Sequence, residues 1–234
     1  MAKEKRGRNL VMGDIHGNLK ALNQCLERSE FNREEDVLIQ LGDVGDRHPD
    51  TAQVIERLLS IPKLIAIRGN HDPWLSHWLK TNSMQAGWAE NGGIPTVQSY
   101  VDAADSIDRE KHLQFLKSQK NFHIDNQNRV FVHAGFTHSD GPASEEPSSN
   151  CYWDRSLWMH SLDALKVGQQ PDLLSQFNEV FIGHTPTIKW SQESPMQAFN
   201  LWNLDTGAGW NGKLTIMDID TKEYWQSDTS DVLY

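Results

Sequence analysis

Aspartate, histidine and asparagine side chains follow five short apolar runs of this chain, at the points where strands are predicted to end. The five groups are Asp14 with His16, Asp43, Asn70 with His71, His133, and His184. Open α/β sheets place their chemistry at the carboxyl ends of their strands, so we expect these side chains to converge. Any one group could be an ordinary turn or a hydrogen-bonded histidine. Five of them together favour a metal site over coincidental turns.

The mixture of carboxylate, imidazole and amide groups indicates the kind of ion. Such ligands suit Mn²⁺, Fe²⁺ or Zn²⁺, and the motifs contain no cysteine, which argues against a thiolate zinc site. The groups outnumber the ligands that one ion needs, so we expect two ions that share Asp43. Two ions can clamp a phosphoryl group and lower the pKa of a bound water. We predict two divalent metal ions as cofactors, Mn²⁺ first, with Fe²⁺, Zn²⁺ or Ni²⁺ as alternatives.

The first part of the chain has the βαβαβ pattern that would position three of these groups. Strands are predicted at 8–12, 37–41 and 63–67, with helices after Asn18 and over about 50–59. Gly42 and Gly45 let the backbone turn tightly after the second strand. A further helix is predicted to open at Asp72-Pro73, because proline fits the first helical position.

Later segments are less regular, and the signals over 81–128 are weak. Strands at 129–132 and 178–182 are predicted before His133 and His184, and a helix over 109–118. Three strand-like segments at 199–204, 213–219 and 223–226, separated by glycines and a turn, are typical of an antiparallel meander. Segment 138–149 is rich in Pro, Ser and Gly, so we expect a surface loop with Glu145 in solvent.

These residues also carry a family resemblance. The ordered motifs Asp14-Ile15-His16-Gly17, Gly42-Asp43-x-x-Asp46-Arg47, Gly69-Asn70-His71-Asp72, His133-Ala134-Gly135 and Gly183-His184 resemble those of calcineurin-like metallophosphoesterases. They are most similar to PPP-type serine/threonine protein phosphatases of the compact bacterial and bacteriophage lambda branch, which is related to the symmetrical diadenosine tetraphosphatases. Trp88-x-x-Asn91-Gly92-Gly93 and Asp205-Thr206-Gly207 also resemble that branch.

The resemblance implies a fold, a metal arrangement and catalytic roles. The implied fold is α/β, with two central mixed β-sheets packed as a sandwich and flanked by helices, in a single metallophosphoesterase domain over residues 1–234. Periodicity alone indicates only the first sheet. The implied ligands are Asp14, His16 and Asp43 for one ion, and Asp43, Asn70, His133 and His184 for the other. His71 would be the general acid, oriented by Asp46, while Arg47 and Arg155 would hold the phosphate oxygens.

Three positions depart from the family pattern. His48 stands in place of the usual glycine at the cleft mouth, Asp72 in place of glutamate, and Ala134 in place of glycine. None of these changes removes an implied ligand. The bulky, titratable His48 bears on the shape of the substrate and not on the type of reaction.

Other roles stay open from the sequence. Arg47 could form a surface ion pair with Asp46, and Arg155 a structural salt bridge with Asp154 or with a glutamate at the rim. Asp205 could support a metal-bound histidine or could be a simple turn carboxylate.

The predicted reaction is hydrolysis of a phosphomonoester by in-line attack of a metal-bridging hydroxide, most simply on phosphoserine or phosphothreonine in a protein. One alternative from the same motifs is a symmetrical bis(5′-nucleosyl)-tetraphosphate (Ap4A) hydrolase, and stacking by Trp74, Trp78 or Trp88 would favour it. A second alternative is a catalytically silent metal-binding module, which would have no need of His71 or Arg47.

Composition limits the partners and the cellular compartment in which this reaction could take place. The 234 residues carry a net charge of −10, which argues against nucleic acid as a partner. No apolar run is long enough to span a membrane, and the basic segment Met1–Asn9 leads into too short an apolar stretch for a secretory signal. Cys25 and Cys151 show no pairing pattern, so we expect free thiols in a reducing cytoplasm. The expected partner is a phosphorylated protein or a small phosphoester; the sequence does not fix the oligomeric state, and a monomer is favoured.

Overall fold

Two five-stranded sheets form the centre of the computed structural model, which describes residues 7–104 and 106–234. The strands are β1 (Asn9–Met12), β2 (Val37–Gln40), β3 (Leu64–Ala66), β4 (Phe122–Ile124), β5 (Arg129–Val132), β6 (Glu179–Ile182), β7 (Met196–Ala198), β8 (Leu201–Asn203), β9 (Thr215–Asp218) and β10 (Tyr224–Gln226). The helices are α1 (Leu19–Arg28), α2 (Thr51–Leu59), α3 (Asp72–Thr81), α4 (Ile94–Asp102), α5 (Arg109–Ser118), α6 (Asn150–Trp153), α7 (Ser156–Val167), α8 (Asp172–Ser175) and α9 (Ser230–Leu233). Most of the basic segment discussed above, up to residue 6, lies outside the described residues.

Each sheet combines parallel and antiparallel strands. The first has the order β10-β9-β1-β2-β3, in which β1, β2 and β3 are parallel and β9 is antiparallel to both of its neighbours. The second has the order β4-β5-β6-β8-β7, in which β5, β6 and β8 are parallel and the edge strands β4 and β7 are antiparallel. These mixed sheets, flanked by helices, confirm the predicted fold class.

Alternate side chains of the central strands enter different layers of the core. In β1, Leu10 and Met12 pack with the buried faces of α1 and α2, whereas Val11 packs against the second sheet. Phe131 of β5 and Phe181 of β6 enter the same central layer, with ring centroids 5.1 Å apart and planes 7° apart. Because both faces of these strands are buried, their sequences read as continuous apolar runs.

The end of the chain departs from the predicted antiparallel meander. Segments 199–204 and 213–219 lie in different sheets, since β8 pairs with β6 and β7, while β9 pairs with β1 and β10. Periodicity indicates that a strand exists but not which strand lies beside it. As a consequence, β8 runs parallel to β6 and ends at the same edge of the sheet.

Helices fix the turns that follow the first strands. Asn18 caps α1, because its side-chain oxygen accepts the backbone N–H of Ala21 at 2.8 Å, as the sequence predicts. α3 begins directly after His71, with Pro73 in its first turn. Among the described residues, none of the helices combines the length and the apolar character that crossing a membrane requires.

Candidate metal centre and active site

Six strand ends meet at one edge of the two sheets. β1, β2, β3, β5, β6 and β8 end shortly before Asp14, Asp43, Asn70, His133, His184 and Asp205, respectively. The structure therefore brings all of the predicted ligand positions together. It also adds Asp205, which accepts the backbone N–H of Gly207 at 3.1 Å as a turn carboxylate does, yet lies close enough to Asp14 to affect its ionisation.

Asp43 lies at the centre of this cluster. Its Oδ2 is 3.6 Å from His16 Nε2, 3.5 Å from His133 Nε2 and 4.0 Å from His71 Nε2. In the described part of the chain, two sets of three residues have donor atoms within 4.8 Å of one another: His16, Asp43 and His71; and Asp43, His133 and His184. The sets share Asp43, so this arrangement has room for two cations bridged by one carboxylate. Asn70 Oδ1 lies 3.0 Å from His133 Nε2, beside the second set.

Asp14 belongs to neither of these two sets and contacts a member of the second one. Its carboxylate oxygens accept the backbone N–H of His184 at 3.0 and 3.3 Å. The first set consists of His16, Asp43 and His71, whereas the predicted ligands of the first ion are Asp14, His16 and Asp43. The assignment of Asp14 as a ligand therefore stays a prediction.

Hydrogen bonds on the far side of two imidazoles determine which nitrogen faces the cluster. His16 Nδ1 lies 3.0 Å from the carbonyl oxygen of Gly45, and His133 Nδ1 lies 2.8 Å from that of Leu41. A carbonyl oxygen only accepts, so each Nδ1 carries the proton, and in the neutral ring each Nε2 then offers a lone pair to a cation beside Asp43. His184 Nε2 is buried and has no hydrogen-bond partner among the described residues. These three nitrogens are available to a cation.

Burial has opposite effects on the histidines and the carboxylates. It lowers the pKa of His16 and His184 well below the usual value, which favours the neutral imidazole that binds metals. Burial, then the neighbouring Asp205 and Asp43, raise the pKa of Asp14 well above its usual value, and burial raises the pKa of Asp205 to about 7. Buried carboxylates this close together are costly to ionise unless a cation compensates them. Both the donor types and the charge fit a pair of divalent ions.

Backbone conformations at these strand ends are unusual. His16, Asp43, Asp46, Arg47 and His184 have φ angles between 51° and 74°, in the left-handed region that residues other than glycine rarely adopt. Such strain persists only where the surrounding structure over-determines a residue, often at functional sites. Close approach also requires glycine, since a Cβ on Gly69 would lie 2.1 Å from Asp43 Oδ1.

His71 is held by a buried carboxylate. Asp46 Oδ2 lies 2.7 Å from His71 Nδ1 and also accepts the indole N–H of Trp88 at 2.8 Å. Thr96 Oγ1 donates to the other oxygen at 2.8 Å, so Asp46 is fixed on both sides. Burial disfavours the charged ring, but the carboxylates of Asp43 and Asp46 outweigh it and raise the pKa of His71. The ring is therefore disposed to carry a proton on the Nε2 atom that faces the cluster.

Neither arginine forms the ion pair that the sequence left open, as far as the described residues show. The Arg47 guanidinium lies over the ring of Trp210, 4.0 Å from its centroid, and its Nε is buried without a hydrogen-bond partner. Arg155 Nη1 donates to Thr185 Oγ1 at 2.9 Å. Asp154 instead caps the start of α7. Both guanidinium groups retain N–H donors for a ligand.

The residues that depart from the family pattern have packing roles. His48 Nε2 lies 2.8 Å from the carbonyl oxygen of Ala208, and its ring stacks on Tyr234 at 5.2 Å between centroids. Ala134 is buried and donates its backbone N–H to the carbonyl oxygen of Cys151 at 2.9 Å. His48 is thus engaged with the end of the chain and leaves the ligand cluster intact.

Asp72, the third departure, joins two of the motif turns. Its carboxylate accepts the backbone N–H groups of Asp43, Val44 and Gly69 at 3.2, 3.1 and 2.7 Å, and the amide of Gln119 at 2.8 Å. Asp72→Asn leaves a single acceptor oxygen for these donors. We expect the free energy of unfolding to fall by about 1–3 kcal/mol, the usual cost of unsatisfied buried polar groups. Denaturant unfolding of the metal-free protein measures the loss. A loss no larger than that of the exposed control Asp163→Asn would contradict this role.

The structure changes the set of tryptophans that could contact a substrate. Trp78 and Trp88 are 7% and 0% exposed, so the expectation that they could stack on a dinucleotide is wrong. Trp74 is half-buried beside the ring of the proposed acid. Trp153 and Trp210 are about half exposed, at 47% and 50%, and were missed because the sequence reads most tryptophans as core.

Comparisons with known proteins agree with this geometry. Serine/threonine-protein phosphatase 1 of Salmonella typhimurium is 26% identical over 211 residues, covering 89% of this chain and 90% of that protein. The symmetrical bis(5′-nucleosyl)-tetraphosphatase of Pseudomonas putida strain W619 is 23% identical over 284 aligned positions, covering 94% and 93%. A crystal structure of a putative diadenosine tetraphosphatase shares the fold, with a TM-score of 0.62 at 19% identity, over 96% of this chain and 94% of that one. The family model for calcineurin-like phosphoesterases matches residues 7–188. That segment contains every predicted metal ligand, and the chain belongs to the calcineurin-like phosphoesterase family.

Proposed function

We propose that this protein is a two-metal-dependent phosphomonoester hydrolase that acts on phosphoserine and phosphothreonine in proteins. The observation that carries this proposal is the His71–Asp46 pair, 2.7 Å apart, with His71 Nε2 turned towards the shared carboxylate of Asp43. Serine and threonine are poor leaving groups, so hydrolysis of their phosphate esters needs a proton donor. A silent metal-binding module has no use for such an acid.

The proposed ligands are Asp14, His16 and Asp43 for one ion, and Asp43, Asn70, His133 and His184 for the other. When bound, divalent ions would act as Lewis acids on the phosphoryl oxygens and lower the pKa of a water. The mixture of carboxylate, amide and imidazole ligands supports Mn²⁺ as the working ion.

The chain's own side chains bind the phosphate and move the proton. Arg47, supported by Trp210, and Arg155, supported by Thr185, offer N–H donors to the non-bridging oxygens of the phosphate. His71 Nε2 donates its proton to the departing oxygen as the P–O bond breaks. Its ring is kept in place by the hydrogen bond from Nδ1 to the neighbouring buried carboxylate.

Gaps within the alignments favour a protein substrate over a dinucleotide. The alignment with the tetraphosphatase has 284 positions, more than the 234 residues of this chain, so it contains long gaps on this side. The alignment with the protein phosphatase has 211 positions and covers 89% of this chain, with few gaps. The dinucleoside tetraphosphate stays a second candidate because Trp153 and Trp210 offer exposed rings on which a base could stack.

A side-by-side assay distinguishes these candidates. Metal-free protein is reloaded with Mn²⁺ and given a phosphoserine peptide, diadenosine tetraphosphate and an aryl phosphate. We expect the highest kcat/KM among the two biological substrates on the phosphopeptide, and no turnover before reloading. Faster cleavage of diadenosine tetraphosphate would replace the proposal with the second candidate. If none of the esters is hydrolysed, the remaining interpretation is a catalytically silent metal-binding module.

A further inference from the structure

A basic pocket lies beside the metal centre of this acidic protein. Its volume is about 390 Å³, and its lining includes Arg68, His77, Lys80 and Lys117. One face of α3 and the end of α5 form its walls. Lys120 lies next to it, since its carbonyl oxygen accepts the backbone N–H of Arg68 at 2.8 Å.

The loop that builds this pocket also carries two residues of the metal centre. Arg68 precedes Asn70 by two residues, and Pro73, also in the lining, follows His71 by two. Consecutive Cα atoms are 3.8 Å apart, so these pairs of Cα atoms lie within about 7.6 Å of each other. An extended peptide advances by roughly 3.3–3.6 Å per residue. A residue two or three positions from a phosphoserine bound at the metals can therefore reach the side of the pocket that Arg68 and Pro73 form, and longer side chains or residues further along would extend towards Lys80 and Lys117.

The positive charges of the pocket are available to a ligand. Over the described ranges 7–104 and 106–234, Arg68, Lys80 and Lys117 form no ion pair, although other lysines pair with acids. In that part of the chain, the guanidinium of Arg68 donates only to the neutral oxygens of Asn121 and Gln119. The acid in the lining, Asp72, is 1% exposed, and its oxygens accept the four N–H donors described above.

We propose that this pocket binds acidic residues that flank the phosphorylated residue of a phosphoprotein substrate. The argument is charge complementarity, because unpaired positive charge gathered in a concavity creates a local attractive field even in a chain of net charge −10. The proposal rests on the proposed function, since it extends the protein phosphatase site by a second contact. It makes substrate selection depend on the sequence around the phosphoserine.

Charge reversal at two exposed side chains tests the pocket. The variant K80E/K117E is compared with K63E/K166E, which changes the net charge equally. Lys63 precedes β3 at the end opposite Asn70, and Lys166 lies on α7.

The substrates are phosphoserine peptides with aspartates before or after the phosphoserine, the same peptides with asparagines in those positions, and an aryl phosphate. We expect K80E/K117E to lose about tenfold in kcat/KM on one of the aspartate peptides, because like charges now face each other. K80E/K117E should turn over the asparagine peptides and the aryl phosphate almost as well as the unaltered protein does. The control K63E/K166E should turn over every substrate almost as well as the unaltered protein.

Four other results would overturn the proposal. One is the same loss on the asparagine peptides or in the control variant, and another is no change on either aspartate peptide. The third is cleavage of diadenosine tetraphosphate with no cleavage of any phosphopeptide, which removes the proposed function together with the pocket. Cleavage of aspartate and asparagine peptides with equal kcat/KM by the unaltered protein would remove the pocket alone.

Discussion

Asp43→Asn should abolish phosphate-ester hydrolysis, with turnover falling by about 10³-fold or more, the scale expected when a central electrostatic contact is lost. Asp43 is the residue that both donor sets share, and three imidazole nitrogens lie within 4.0 Å of its Oδ2. An amide has no charge and one acceptor oxygen, so it cannot bridge two cations as a carboxylate does. Both the steady-state turnover and the metal content of the same sample, measured by elemental analysis, should fall.

Asp43→Asn should leave the fold intact. This control shows whether turnover is lost through damage to the metal site or through unfolding. Unfolding of Asp43→Asn in denaturant should stay cooperative, because asparagine keeps a side-chain oxygen that can accept the backbone N–H of His71, as Asp43 Oδ1 does at 2.9 Å. The exposed variant Asp163→Asn should keep full turnover and metal content. Near-normal turnover of Asp43→Asn would remove Asp43 from the bridging position.

His71→Asn should have the second-largest effect, and its size should depend on the leaving group. Turnover of phosphoserine peptides should fall about 10²–10⁴-fold, the usual contribution of a general acid. Activated aryl phosphates should lose much less, because their leaving groups depart without a proton. The measurement is kcat across a series of phenyl phosphates of rising leaving-group pKa, for which the variant should show the steeper dependence.

Two further variants separate acid catalysis from general damage. Asp46→Asn keeps the imidazole but removes the carboxylate that holds Nδ1 and raises the pKa of His71, so it should reproduce the leaving-group dependence in weaker form. His48→Asn alters a histidine that contacts Ala208 and Tyr234 and should leave the dependence unchanged. An equal loss on every leaving group in His71→Asn would count against the general-acid role.

The three parallel strands of the first sheet and the candidate ligand positions that follow them could be predicted, because local pattern and function coincide there. Short apolar runs such as Val37–Gln40 end in polar, glycine-bearing turns, and parallel strands bring such turns to one edge. The second sheet is different, because β5 and β6 are visible as strands but their neighbours are distant in the sequence or lie outside any clear pattern. Only the family resemblance indicated that sheet.

Features set by tertiary contact escaped the sequence. Glu145 was expected in solvent, but it is 5% exposed and accepts hydrogen bonds from Thr137, His138 and Asn150. A Pro- and Ser-rich segment predicts a loop, but it does not predict how the loop folds back so that donors at both of its ends reach one carboxylate. The exposed rings of Trp153 and Trp210 were missed for the same reason, since exposure depends on neighbours that local composition does not reveal.

The number of divalent ions bound per chain shows whether this cluster of side chains is a two-metal centre. Metal-free protein is titrated with Mn²⁺ by equilibrium dialysis, and the loaded sample is examined by electron paramagnetic resonance. We predict two ions per chain and the exchange-coupled spectrum of neighbouring Mn²⁺ centres about 3.5–4 Å apart. If the protein binds no ion, or a single ion with an uncoupled spectrum, Asp43 does not bridge two metal ions.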